Sequence, residues 1–202
     1  MRWIAASSVA GLVLMVANAT AGPAVPSEPP VVYGTCSVCH GHAGISSNAS
    51  FPNLAGQTKT YLETELKDFQ DHQRADHDAM AYMWSMAGNL SGKKIDTVAK
   101  YFSALAPPKG SSGGNPAEVA AGGKIFAQGI TSENVPACES CHGAKAAGSD
   151  TFPRLAGQHR EYLIPQLRAF RSGVRNDPTM HLVAQDLTDE QIRDVTAYLA
   201  SL

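Results

Sequence analysis

The sequence predicts an all-α protein built from two small tandem domains. Three observations point there. Apolar residues recur at helical spacing, as in Tyr61, Leu62, Leu66 and Phe69, and no stretch alternates as a half-buried strand would. The second half restates the first at an offset of about 100 residues, too long for a solenoid unit and right for a duplicated domain. Between the copies runs Pro107-Pro108-Lys109-Gly110-Ser111-Ser112-Gly113-Gly114, which cannot hold a regular element and reads as a linker.

Residues 1–21 stand apart. Arg2 is the one charge before Glu28, Ile4 to Ala17 is apolar and small, and Ala17-Asn18-Ala19 or Ala19-Thr20-Ala21 would suit signal peptidase. This predicts a secretory signal peptide and export. The alternative, a retained membrane anchor, needs an apolar stretch of about 20 residues. The first domain is then expected over 22–106, the linker over 107–115 and the second domain over 116–202.

Each later element has its own signal. Pro26, Pro29 and Pro30 crowd the region where the second copy has its first helix, so that helix is expected to be short or absent in the first copy. Phe51-Pro52-Asn53-Leu54-Ala55-Gly56-Gln57 returns as Phe152-Pro153-Arg154-Leu155-Ala156-Gly157-Gln158. The face of Tyr61, Leu62, Leu66 and Phe69 returns as Tyr162, Leu163, Leu167 and Phe170. Pro165 stands where the first copy has Thr64, which predicts a kink or a late helix start. Ser91 is the expected N-cap of a helix carrying Ile95, Val98, Ala99 and Phe102. Thr188 with Gln191 forms a capping box on the equivalent helix. Asn115 and Pro116 read as N-cap and first residue of a helix running to Phe126.

The four cysteines of the chain fall in two copies of one motif, Cys36-Ser37-Val38-Cys39-His40 and Cys138-Glu139-Ser140-Cys141-His142. C-x-x-C-H is the attachment pattern of a c-type haem. The paired thiols add across the two vinyl groups and the adjacent His reaches the iron. The motif predicts two covalently bound haem c groups, held by Cys36 and Cys39 and by Cys138 and Cys141, with His40 and His142 on iron. An offset of 102 residues between the pairs fits no usual zinc spacing, which argues against a zinc or thiol–disulfide protein.

The sixth iron ligand must come from farther along, and a soft thioether suits it. Met180 is the one Met after the second motif, seven residues before Leu187-Thr188. Seven residues before Leu90-Ser91 is Met83, its counterpart, with Met80, Met86 and His77 as the alternatives in the first copy. His181 is read as a neighbour of Met180 that points elsewhere. His42, His72 and His159 have no like partner in the repeat and are read as surface residues or residues behind the ligands. Gln57 and Gln158 either bond near the haem or cap a helix. Tyr61 and Tyr162 either pack near the haem with the phenol on a polar partner, or are plain core aromatics.

With 44% hydrophobic and 17% charged residues and a net charge of −2, the composition is that of an ordinary soluble protein and offers no basic strip for nucleic acid. No nucleophile elbow, phosphate loop or metal-ligand His cluster suggests catalysis, so the chain is not expected to be an enzyme. Residues 59–78 carry six acids against three bases, and residues 160–177 four arginines against two acids. The contrast suggests that the two ends face different partners, one donor and one acceptor.

The order C-x-x-C-H-G, F-P-x-L-A-G-Q, Y-L-x-x-x-L-x-x-F, Met and a final helix, all twice, resembles the dihaem cytochrome c4 family, tandem class I cytochrome c domains. The resemblance covers nearly the whole chain after residue 21. It implies two domains about a pseudo-twofold axis, each with one low-spin haem on His40 and Met83 or on His142 and Met180, with haem propionates meeting near the interface. It also implies a periplasmic carrier of single electrons between redox proteins of a respiratory chain, towards a terminal oxidase or another acceptor. Peripheral membrane association is compatible with it. The alternative role is the dihaem electron-transfer subunit of a periplasmic dehydrogenase, such as a sulfide-oxidising flavocytochrome. A true enzyme would need one iron with a vacant or displaceable ligand. The proline-rich start before Cys36 departs from the family's usual first helix.

Overall fold

The computed structural model describes residues 26–111 and 114–202, so the signal-peptide segment 1–21 and two linker positions lie outside the described residues. The first domain comprises α1 (Ser37–His40), α2 (Lys59–Gln70), a π-helical turn (Ala79–Met83), α3 (Trp84–Gly88) and α4 (Gly92–Ala104). The second comprises α5 (Pro116–Gln128), a 3₁₀ turn (Thr131–Glu133), α6 (Glu139–His142), α7 (Arg160–Ser172), α8 (Pro178–Ala184) and α9 (Asp189–Ser201). Among the described residues extended pairing is limited to three isolated bridges, so the fold is all-α as expected.

The caps sit where the sequence put them. Ser91 accepts from the Lys94 N–H, and Thr188 with Gln191 completes a capping box. Asn115 caps α5 with Pro116 at its first position, and Glu118 returns the bond to the Asn115 N–H, a second capping box. Pro165 lies inside α7, yet α7 starts at Arg160, the position matched to Lys59 of α2. The late start is thus ruled out. The missing N–H leaves the Glu161 carbonyl without its helical donor instead.

Among the described residues the first copy has no helix before Ser37. A turn over residues 30–36 stands there and buries Val32 completely, in one cluster with Leu66, Ile95 and Phe102. In the second copy α5 lies against α9. A Cβ on Gly122 would fall 1.9 Å from the Asp194 carbonyl oxygen, so only glycine permits that approach. The fully buried Phe126 then packs with Ile125, Leu163, Val195 and Leu199.

The recurring F-P-x-L-A-G-Q segments are pinned to the last helix of each domain, Gly56 N–H to the Phe102 carbonyl and Gly157 N–H to the Leu199 carbonyl, each at 2.9 Å. That anchoring holds both segments against the domain boundary.

Candidate haem sites and the domain junction

A cavity of about 620 Å³ reaches into both domains, and both C-x-x-C-H motifs line it. Its walls are largely apolar, with Leu62, Leu66, Phe69 and Phe102 on one side and Leu163, Leu167, Phe170 and Leu199 on the other. The size lies in the range of cofactor pockets.

The two motifs are positioned alike. α1 and α6 are single helical turns that end at the histidine, with Gly41 and Gly143 at positive φ. The His40 Nδ1 donates to the Pro52 carbonyl at 2.9 Å, and the His142 Nδ1 donates to the Pro153 carbonyl at 2.9 Å. This bond settles the tautomer and leaves each Nε2 lone pair free for a metal. Phe51 and Phe152 stand edge-on to the two imidazoles. Burial holds both imidazoles below the ordinary 6.5, more than their carbonyl bonds raise them, so they are neutral bases at pH 7. Burial likewise pushes the Cys36 and Cys138 thiols up to about 11, so they stay protonated until they are alkylated.

Met83 and Met180 both line the cavity, each half-buried against its own domain's core. Asp177 caps α8 by accepting from the Met180 N–H at 2.9 Å, which sets where that side chain begins. Of the alternatives, Met80 is 50% exposed and outside the cavity wall, while Met86 lines the wall but is 48% exposed. The His77 side chain is 90% exposed and bonds Asp78. His181 does point away, to the Phe170 carbonyl at 2.8 Å.

The residues present therefore fit haem c twice over: thiol pair, buried neutral imidazole, thioether and apolar walls, all on one cavity.

Between the two halves of the cavity the domains meet in a reciprocal set of bonds that sequence reasoning missed. The Gln57 amide clamps the Arg154 backbone, accepting from its N–H at 2.7 Å and donating to its carbonyl at 3.0 Å. Gln158 does the same to Asn53, at 2.8 and 2.9 Å. Gln57 and Gln158 are thus clamps between domains. His159 joins them, its Nε2 donating to the Ser46 carbonyl at 3.1 Å, so it belongs to the junction rather than to the surface.

Deeper in the junction lies an ionic cluster. Arg74 and Arg175, matched in the repeat, face each other across an antiparallel bridge. Glu65 accepts from Arg74 and, at 2.7 Å, from Arg175. Gln166, the counterpart of Glu65, accepts from both guanidiniums at 2.8 Å. The phenol oxygens of Tyr61 and Tyr162 accept from Arg175 at 2.8 Å and Arg74 at 3.1 Å, so each tyrosine does meet a polar partner beside the cavity. Phe69 and Phe170 lie under the guanidiniums, 4.8 and 4.4 Å from the ring centres.

These burials correct the expectation drawn from charge runs. Glu65, Arg74, Asp76 and Arg175 are inside the junction, not on a docking face. Arg160 pairs with Glu118 at 2.9 Å, and Arg168 and Arg171 both pair with Asp189, at 3.1 and 2.8 Å. The two runs are mostly spent within the molecule.

Comparison with known proteins agrees with the geometry. The cytochrome c family model matches residues 31–106 and 119–202. The chain is 44% identical over 187 residues to cytochrome c-552 of Acidithiobacillus ferridurans, spanning 92% of this chain and 81% of that one. It is 36% identical over 188 residues to a thiosulfate dehydrogenase electron acceptor of Thiomonas intermedia, spanning 90% and 84%. The solved structure of a cytochrome c4 from Acidithiobacillus ferrooxidans superposes with a TM-score of 0.79 at 46% identity, over 83% of this chain and 99% of that one.

Proposed function

The chain belongs to the dihaem cytochrome c4 family and is a dihaem electron-transfer cytochrome, and from that premise we propose that it is a periplasmic shuttle for single electrons. It takes them from a respiratory-chain donor and delivers them to a terminal oxidase or a comparable acceptor. Domains 22–106 and 116–202 hold one haem each, joined by the linker 107–115. Cys36, Cys39, Cys138 and Cys141 carry the thioether links. His40 with Met83, and His142 with Met180, hold the two irons.

When bound, the haems supply reversible one-electron chemistry and the protein supplies binding, orientation and electrostatics. His40 and His142 bring a neutral Nε2 whose ring is held by a carbonyl. The apolar walls exclude water, and the Gln57 and Gln158 clamps hold the two halves at one spacing.

The observation that carries this reading is that each half of the cavity contains a tethered imidazole and a half-buried thioether. An iron so furnished has no open position for a substrate, so the role is a carrier and not a catalyst. The test is the visible spectrum of the purified holoprotein, oxidised and reduced, with and without carbon monoxide. Two c-type haems whose bands ignore carbon monoxide are expected. Met83→Ala and Met180→Ala should each open about half of the haem to carbon monoxide, while Met80→Ala should open none. A wild-type protein that binds carbon monoxide overturns the carrier reading.

The likeness to the Thiomonas intermedia acceptor favours a second reading of the donor, a thiosulfate-oxidising dehydrogenase. Stopped-flow reduction of this cytochrome by such an enzyme, with a quinol-oxidising donor for comparison, separates the two.

A further inference from the structure

Trp84 and His181 stand at the same place in the repeat, one residue after Met83 and one after Met180. Both side chains turn back and donate to a main-chain carbonyl. The Trp84 Nε1 reaches the Arg74 carbonyl at 2.8 Å, four residues beyond the end of α2. The His181 Nδ1 reaches the Phe170 carbonyl at 2.8 Å, in the last turn of α7. The indole is held further by the His72 ring, stacked on it at 3.9 Å with 20° between the planes. Because α2 and α7 are matched helices, each domain fastens the residue beside its methionine to the same end of the same helix.

A second contact fastens the far end of each segment. The Gln70 Nε2 donates to the Leu90 carbonyl at 2.8 Å and to the Ala87 carbonyl at 2.9 Å. Arg171, its counterpart, donates to the Leu187 carbonyl at 2.8 Å. The approaches to the two methionines differ, however. Arg74 precedes Met83 by nine residues and Arg175 precedes Met180 by five. Met80, Ala81 and Tyr82 are exposed, so the stretch just before Met83 packs on little. The same anchoring therefore occurs with loops of different length and with different donors, an indole in one copy and an imidazole in the other. What the two have in common is that the backbone is fixed directly after the methionine.

We propose that Trp84 and His181 are the positioning residues of the two axial thioethers, each keeping its methionine at the iron and its segment closed to competing ligands. A thioether carries no charge to hold it on a metal. Ordering it in advance lets the fold, rather than the iron–sulfur bond, meet the entropy of placing it. Breaking a tether raises the share of molecules in which the segment has swung open. One net hydrogen bond corresponds to roughly a 2–10-fold change in that share. The inference rests on the axial assignments of Met83 and Met180 above.

The probe is imidazole, which takes the sixth position of an iron once the methionine leaves it. It is titrated into ferric holoprotein and followed at each haem through the shifted haem methyl resonances. Reduced wild type is measured first. Two methionine methyl signals moved upfield by the haem rings are expected, and fewer overturns the axial assignments and the tethers with them. With both present, Trp84→Phe should bind imidazole roughly 2–10-fold tighter at the first haem only, and His181→Phe by a similar factor at the second haem only. His181→Asn, whose Nδ2 replaces the imidazole Nδ1 as donor, should stay near wild type. A residue that merely packs would lower the unfolding midpoint without changing imidazole affinity. Unchanged affinity in the Phe variants, equal changes at both haems, or no rescue by His181→Asn overturns the proposal. If Trp84→Phe does not accumulate, the two His181 variants decide the test.

Discussion

Glu65→Ala tests what the ionic cluster does for the junction. The carboxylate bridges two guanidiniums whose side chains are only 8% and 7% exposed. Without it Arg74 keeps Asp76 at 2.8 Å, but Arg175 is left with Gln166, Tyr61 and the Phe170 ring, none of them charged. Two charges in contact at an effective dielectric of about 20 attract by about 4 kcal/mol. Removing one partner of a buried pair typically costs about 3–5 kcal/mol. A loss of about 3 kcal/mol or more is therefore expected, read as the shift in guanidinium chloride midpoint of the holoprotein at pH 7.

The loss should depend on pH in one direction. Burial pushes the Glu65 carboxyl up, but Arg175 and Arg74 beside it more than reverse this and hold it below its ordinary 4.5. Its contribution is complete above 4.5 and fades as pH falls through the lower folded value. The difference between Glu65→Ala and wild type should shrink in that acid window and stay constant above it. Pairing Glu65→Leu with Arg175→Met removes both charges, and the double variant should recover most of the loss. A Glu65→Ala midpoint within about 1 kcal/mol of wild type, with no coupling in the double variant, would refute the argument.

Gln158→Ala strands the Asn53 N–H and carbonyl in the junction and should cost about 1–3 kcal/mol per stranded group. Small-angle scattering should show the domains loosened while each haem spectrum stays unchanged. Pro165→Thr, which installs the first copy's residue at an exposed position, restores a helical donor to the Glu161 carbonyl. It should raise the melting temperature, by a stability gain of about 1–2 kcal/mol. Gly122→Ala should do the reverse of what helix propensity predicts. Its Cβ would sit 1.9 Å from the Asp194 carbonyl oxygen, forcing α5 off α9 at a cost of about 1–3 kcal/mol in chemical denaturation.

The reading of the junction shows where sequence reasoning stops. Gln57 and Gln158 were visible as matched polar residues, but their partners lie 97 and 105 residues away, so local spacing offered only a cap or a haem contact. Glu65, Arg74 and Arg175 looked like parts of solvated charge runs, because nothing local distinguishes a buried ion from an exposed one. The repeat did contain a signal for this: Arg74 and Arg175 match across copies while most charges around them do not.

By itself the sequence determined the parts governed by local chemistry: the C-x-x-C-H motifs, the helical faces, the caps at Ser91, Asn115 and Thr188, the missing first helix before Cys36, and the duplication. Each depends on residues within a few turns of one another, where backbone geometry leaves few choices. The tertiary structure decided which charges are buried, which amides clamp the other domain, and how one cavity joins both halves. Those outcomes depend on the relative placement of two domains, and burial turns an ordinary surface charge such as Arg175 into one that must find a partner.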